Sequence, residues 1–154
     1  MGGLSITPHN VPAKVPLYHE TGDFDTALII ENTIGFEIRA NGGAVQYVSG
    51  CAKLTPSIKE RFEPSDQILF DGTVWQNDEM KNTSTEIKTG HRMGHMPISG
   101  DDGSLAQLAD LQGPAKTYIQ INNTNLIWNP TSPERLALKD AGLSAAYDGM
   151  EIVL

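Results

Sequence analysis

The run Ile34-Gly35-Phe36-Glu37-Ile38-Arg39-Ala40 constrains this chain most, because apolar Ile34, Phe36 and Ile38 alternate with polar Glu37 and Arg39. A period of two is the pattern of a pleated strand with one covered face and one wet face. Asn41-Gly42-Gly43 follows, residues that tolerate positive φ in a tight turn, and Val45-Gln46-Tyr47-Val48 returns. Residues 34–48 are therefore expected to form an antiparallel hairpin.

Similar signals recur along the chain. Gln67-Ile68-Leu69-Phe70 and Thr73-Val74-Trp75 flank Asp71-Gly72 and read as a second hairpin. Tyr118–Ile121 and Leu126–Trp128, joined by Asn-rich residues 122–125, read as a third. Ala27-Leu28-Ile29-Ile30 reads as a strand, and Asp148-Gly149 turns into the apolar ending Met150-Glu151-Ile152-Val153-Leu154, a strand expected to be tied into a sheet.

Three short helices are expected. Thr55 caps one with Pro56 at its first position, running to Phe62. Another covers Ser104–Leu111, with Ser104 and Gln107 placed for a capping box. The third opens at Ser132-Pro133-Glu134, continues through Lys139 and stops at Gly142.

With 154 residues, 15 Gly and 9 Pro, the chain suits one domain of short strands and long connections. The expected fold class is β-rich, mainly an antiparallel sandwich or barrel with two or three short helices, with α+β as the alternative. Residues 1–22 read as an extended arm, since Pro8, Pro12 and Pro16 block both a helix and a central strand. Residues 23–154 form the domain, interrupted by a polar stretch at 76–104 too long for an idle loop. The apolar residues of these two segments are the candidate interface: Leu4, Ile6, Val11, Val15, Leu17, Tyr18, Met80, Ile87, Met93 and Met96.

Charge excludes some partners. A net charge of −8, with Lys14 the one basic residue before Arg39, repels phosphates and anionic membranes. One cysteine, Cys51, cannot form an internal disulfide, and its setting reads as a small buried apolar residue. The first twenty residues lack the charged and apolar regions of a signal peptide, and no run approaches the ~18 apolar residues of a membrane helix. Cytoplasmic synthesis is expected.

Chemistry-bearing patterns are sparse. His91 and His95 are four apart, as two zinc ligands on one helix face would be, but Gly90 and Gly94 and the missing acid of the zinc-protease pattern favour two solvated loop histidines. Asp101-Asp102-Gly103 has the look of a calcium loop, yet Ala109 stands where the closing Glu belongs. Glu31, Glu37, Asp71 and Glu151 are strand-associated and would need to converge in a barrel to act as paired carboxylates. Trp75, Trp128, Tyr47 and Tyr118 are read as core residues first and groove residues second. No catalytic residue, cofactor site or metal site is assigned.

In style the chain resembles the small structural proteins of tailed-bacteriophage virions, the head-decoration (cement) and tail components. The features that carry this are SITPHNVPAKVPLYHETG, QILFDGTVW, TYIQINNTNLIW and DGMEIVL. The resemblance implies a non-enzymatic protein that forms homo-oligomers or clips onto other virion proteins, located in the virion, or cytoplasmic if not viral. The alternative is a small barrel or sandwich that binds a carbohydrate or other small ligand, with hydrolysis by paired carboxylates; a third is a metal-dependent protein using His91 and His95.

Overall fold

The computed structural model describes residues 3–14, 33–84 and 88–153. Six strands make one sheet in sequence order: β1 (Ser5–Asn10), β2 (Ile34–Ala40), β3 (Gly43–Val48), β4 (Gln67–Asp71), β5 (Ala115–Ile119) and β6 (Leu143–Ala145). The expected hairpin is present as β2 and β3, with Ile38 opposite Val45 and Phe36 opposite Tyr47. Asn41 and Gly42 both take positive φ at its turn. β1 adds antiparallel to β2, whereas β3–β4, β4–β5 and β5–β6 are all parallel.

The mainly antiparallel sandwich or barrel is thus corrected to a single mixed sheet with helices. The reason lies after β4. Asp71-Gly72 does not reverse the chain, because Gly72 N–H bonds Ile119 O on β5 instead of closing a turn. The stretch then holds α2 (Glu79–Asn82), α3 (Gly90–Met93) and α4 (Ser104–Ala109) before returning parallel as β5. Likewise Leu126–Trp128 is one turn of 3-10 helix, not a returning strand, and leads through α5 (Pro133–Asp140) to β6. Residues 150–153 form no strand, and Ile152 and Val153 are exposed. The strand expected at residues 27–30 lies outside the described residues.

Local signals fix the helix ends. Thr55 Oγ1 accepts from Ile58 N at the start of α1 (Pro56–Phe62), and Ser132 Oγ accepts from Arg135 N at the start of α5. At α4 the cap is Gly103, whose close approach to Ile98 O and Ser99 O leaves no room for a side chain. Ser104 is then the first helical residue, with its hydroxyl turned inward to Tyr118 Oη.

Successive parallel crossovers stepping one way along a sheet, each of the usual right hand, gather their helices on one face. Val48, Ile68, Phe70, Tyr118, Leu143 and Ala145 point to that face and pack with Ile58, Phe62, Leu108, Ile127 and Leu138. Phe62, Phe70 and Tyr118 form an edge-to-face series with centroids 6.1 and 6.4 Å apart. Each such buried ring contributes about 1.5–3 kcal/mol of transfer free energy. The alternate positions form the opposite face. There Phe36, Ile38, Val45, Tyr47, Leu69 and Ile119 are half-buried, and Ile6 and Ile34 are exposed.

Among the described residues, no helix is long and apolar enough to cross a membrane.

Candidate functional site

In an open sheet with parallel strands, ligands bind beyond the strands' carboxyl ends, where the connecting loops diverge. Here that edge collects Ser49–Lys53 after β3, Gly72–Gln76 after β4, Gln120–Asn125 after β5 and Ala146–Asp148 after β6. Its centre is Asp71, the last residue of β4, which is fully buried. Cys51 N donates to Asp71 Oδ2 at 3.0 Å, and His95 Nδ1 lies 2.7 Å from the same oxygen. Thr73 N and Thr73 Oγ1 donate to Oδ1 at 3.1 and 2.6 Å. Four donors occupy both oxygens, which is how a buried carboxylate is made tolerable.

His95 is held from both sides of its backbone. Its own N–H bonds Gly90 O at 2.9 Å, and Met96 N bonds Cys51 O at 2.7 Å. Its side chain keeps 25% exposure while Asp71 has none. Burial opposes protonation of the ring, but the hydrogen bond to Asp71 and the charge of Asp71 outweigh it, so the imidazole sits above its ordinary value. The neighbouring Cys51 is fully buried, and that burial pushes its thiol up to about 12.

The Asn-rich loop is stitched to the same edge. Asn122 N bonds Thr73 O, and Asn125 Nδ2 donates to Gly72 O at 2.9 Å while its Oδ1 accepts from Ile127 N. Gln120, directly after β5, takes a positive φ of 55°, a strained position for a side chain. Buried Glu79 bridges from α2, accepting from Trp75 N at 2.6 Å and from Thr124 Oγ1 at 2.6 Å. Clefts open beside this frame. One of about 190 Å³ is lined by Trp75, Glu79, Thr124, Leu126 and Glu134; another of about 240 Å³ is lined by Ile119, Gln120, Trp128, Tyr147 and Asp148.

The interface residues named from sequence do not form one surface. Leu4 and Ile6 are exposed on and beside β1, whereas Val11, Met80 and Met96 are buried and Met93 is half-buried. Val15, Leu17, Tyr18 and Ile87 lie outside the described residues. His91 is exposed on α3, and Gly94, in the left-handed region, ends that helix before His95, so the two histidines do not share a helix face. Asp71 is joined to an imidazole, not to a second carboxylate; Glu37 pairs with Arg39, and Glu151 is exposed. Tyr118 is core, Trp75 and Tyr47 are half-buried, and Trp128 is exposed. Sequence reasoning missed the Asp71–His95 pair because its members are 24 residues apart and no spacing rule joins them.

Comparison with known proteins places this geometry. The family profile of the Beta-lactamase superfamily domain matches residues 1–121. Coenzyme PQQ synthesis protein B of Ruegeria pomeroyi is 47% identical over 152 residues, covering 99% of this chain and 51% of the relative. The protein of the same name from Rhizobium meliloti is 46% identical over 154 residues, covering 100% and 50%. The crystal structure of Zn(2+)-bound PqqB from Methylobacterium extorquens superposes with a TM-score of 0.92 at 39% identity, covering 99% of this chain and 51% of that one. The chain therefore spans about half the length of these relatives.

These findings overturn the resemblance to bacteriophage virion proteins, together with the head-decoration and tail functions that followed from it. They sit closer to the ligand-handling, hydrolase-like alternative, though in a mixed sheet and, among the described residues, without a carboxylate pair. Zinc in the solved relative raises the question of ligands here. Among the described residues no three His, Cys, Asp or Glu side chains converge on a point that could hold a metal ion. Asp71 has both oxygens engaged and Cys51 is a buried thiol pushed up by burial, so neither is offered to a metal. The described residues do not fit a zinc centre by themselves. By its family match and its mixed sheet alike, this chain belongs to the β-lactamase superfamily.

Proposed function

We propose that this chain takes part in the synthesis of coenzyme PQQ, as an enzyme component whose working edge is the carboxyl end of β3 to β6. The observation that carries the reading is identity of nearly half its residues, along almost its whole length, to proteins named for that synthesis. The buried Asp71–His95 pair supports it, since an imidazole anchored on a buried carboxylate at a strand end is a chemical arrangement, not a packing one. The relatives are about twice as long. The half-exposed apolar face of the sheet, with Phe36, Ile38, Val45, Tyr47 and Leu69, is suited to receive the remainder of such a protein.

A chimera tests the reading. In full-length Coenzyme PQQ synthesis protein B, the matched half is replaced by this chain and expressed in a bacterium lacking its own copy. Restored coenzyme PQQ, measured in the culture medium, is the expected result. A chimera that accumulates as soluble folded protein yet restores none, where the intact relative does, refutes the proposal.

A further inference from the structure

The hydrogen bonds around Asp71 determine where the His95 proton sits. Thr73 Oγ1 has one proton, and its 2.6 Å contact commits that proton to Asp71 Oδ1. Thr73 Oγ1, 3.2 Å from His95 Nδ1, is therefore an acceptor toward the ring, as is Asp71 Oδ2 at 2.7 Å. Both neighbours of Nδ1 accept, so Nδ1 carries the hydrogen. In the neutral ring Nε2 then holds a free lone pair. A quarter of the side chain is exposed, Nε2 is not among the buried side-chain atoms that lack a partner, and the ring lies near Gly50, where a Cβ would come within 3.8 Å of Cε1.

The tautomer that leaves Nε2 unprotonated is the minor one for a free histidine, and here two acceptors on two different residues impose it. The backbone bonds of His95 and Met96 fix the ring's position as well. A pair that needed only to pack would not require a fully buried carboxylate with four donors.

We infer that His95 is a proton-transfer group of this edge, presenting Nε2 to a substrate that bears an ionisable O–H or N–H, with Asp71 and Thr73 as its positioning residues. Nε2 takes the proton of the substrate's O–H or N–H, leaving the bonding pair on the substrate atom. The imidazolium so formed is held by the carboxylate of Asp71, and the proton then leaves from Nε2 to water at the open edge. Asp71 gives up no proton in the cycle. This role rests on the proposed function for its substrate, but its geometric half stands on the chain alone.

Nitrogen-15 NMR of the purified chain tests that half, with the His95 signals assigned through their loss in His95→Gln. Neutral His95 is expected in the Nδ1–H tautomer, titrating above 6.5, the ordinary value for histidine. Asp71→Asn should lower that midpoint, and the milder Thr73→Val should lower it less while keeping the fold. An Nε2–H tautomer in the unaltered chain, or a midpoint indifferent to both substitutions, overturns the inference. So does stoichiometric capture of His95 by added zinc chloride, which makes it a metal ligand. In the PQQ-forming chimera, His95→Gln should slow product formation roughly 100-fold, within the range of general acid–base groups. Unchanged formation with the Nδ1–H tautomer present leaves the geometry and removes the role. If the unaltered chimera makes no coenzyme, the proposed function fails while the NMR result stands apart from it.

Discussion

Gly35 on β2 faces His9 on β1 so closely that a Cβ on Gly35 would lie 2.7 Å from His9 Cε1 and 3.0 Å from Val48 Cγ2. His9 is the only buried residue of β1. The edge strand is thus fastened to the sheet by one imidazole seated over a glycine. Because the ring is enclosed, it cannot swing away from an added methyl. Gly35→Ala should destabilise the fold by about 1–3 kcal/mol, the range of overpacked cores. Urea denaturation followed by tryptophan fluorescence measures this, and an unchanged midpoint would show that β1 is not held there.

The same histidine makes stability depend on pH. Among the described residues, no well-aligned hydrogen bond reaches the buried ring nitrogens of His9 or Oε1 of Gln46, although the Asn10 backbone and the Gln46 side chain lie close enough to favour the charged ring weakly. Burial, aided by the nearby Arg61 charge, lowers the His9 value below the ordinary 6.5. A lowered folded-state value means that the unfolded chain binds more protons as pH falls through 6.5, so folding weakens in acid. His95 has the opposite sign: its contribution is complete below 6.5 and fades as pH rises through its raised value. The two slopes overlap, so the test compares variants. His9→Leu should retain stability between pH 6.5 and 5 better than the unaltered chain, and a parallel loss in both proteins would assign the acid sensitivity elsewhere.

The sequence carried local structure well where the cause was local. The alternation of 34–48 specified β2 and β3, and Thr55-Pro56 and Ser132-Pro133 marked the starts of α1 and α5. It failed where the cause was distant. Asp71-Gly72 has the composition of a hairpin turn, yet a Cβ at Gly72 would fall 2.8 Å from Tyr118 Cβ on the neighbouring parallel strand. The glycine serves close strand packing, and a single segment cannot reveal a neighbour 46 residues away. Asp71 read as one strand acid among four for the same reason, since its partners Cys51 and His95 lie 20 and 24 residues off. The apolar ending 150–153 has strand composition, but it pairs with none of the six strands, and residues 151–153 are exposed.

Tyr118 and Ser104 share a hydrogen bond of 2.9 Å between two fully buried hydroxyls, tying α4 to β5. Tyr118→Phe keeps the ring packing against Phe70 but leaves the Ser104 hydroxyl without a partner. It should cost about 1–3 kcal/mol, the desolvation penalty of a buried unpaired group. Adding Ser104→Ala should recover part of that loss. A double variant that loses at least as much stability as the two single variants together would show that the hydroxyl pair is not a unit.

Glu79 holds the cleft between α2 and the Asn-rich loop. With Glu79→Ala, Trp75 N and Thr124 Oγ1 lose their acceptor at a buried site, and a loss of about 1–3 kcal/mol is expected. Hydrogen exchange should rise at Trp75 and across residues 122–125 and stay unchanged in β2 and β3. Uniform exchange across the sheet would mean that Glu79 supports the whole fold.

Cys51 offers the sharpest separation between a reactive and a structural thiol. It lies next to the Asp71–His95 pair, and a cysteine beside a histidine invites a nucleophilic reading. The geometry argues otherwise. His95 Nδ1 is committed to Asp71, while the Cys51 sulfur contacts Lys53 O at 3.3 Å and is fully buried. Burial and the Asp71 charge raise the thiol to about 12, so almost no thiolate exists at neutral pH. Folded protein at pH 7.5 should therefore resist iodoacetamide, with modification appearing only as urea unfolds the chain. Mass spectrometry reads both conditions. Rapid alkylation of the folded protein, with a rate that follows the titration of His95, would instead make Cys51 a reactive thiol of the working edge.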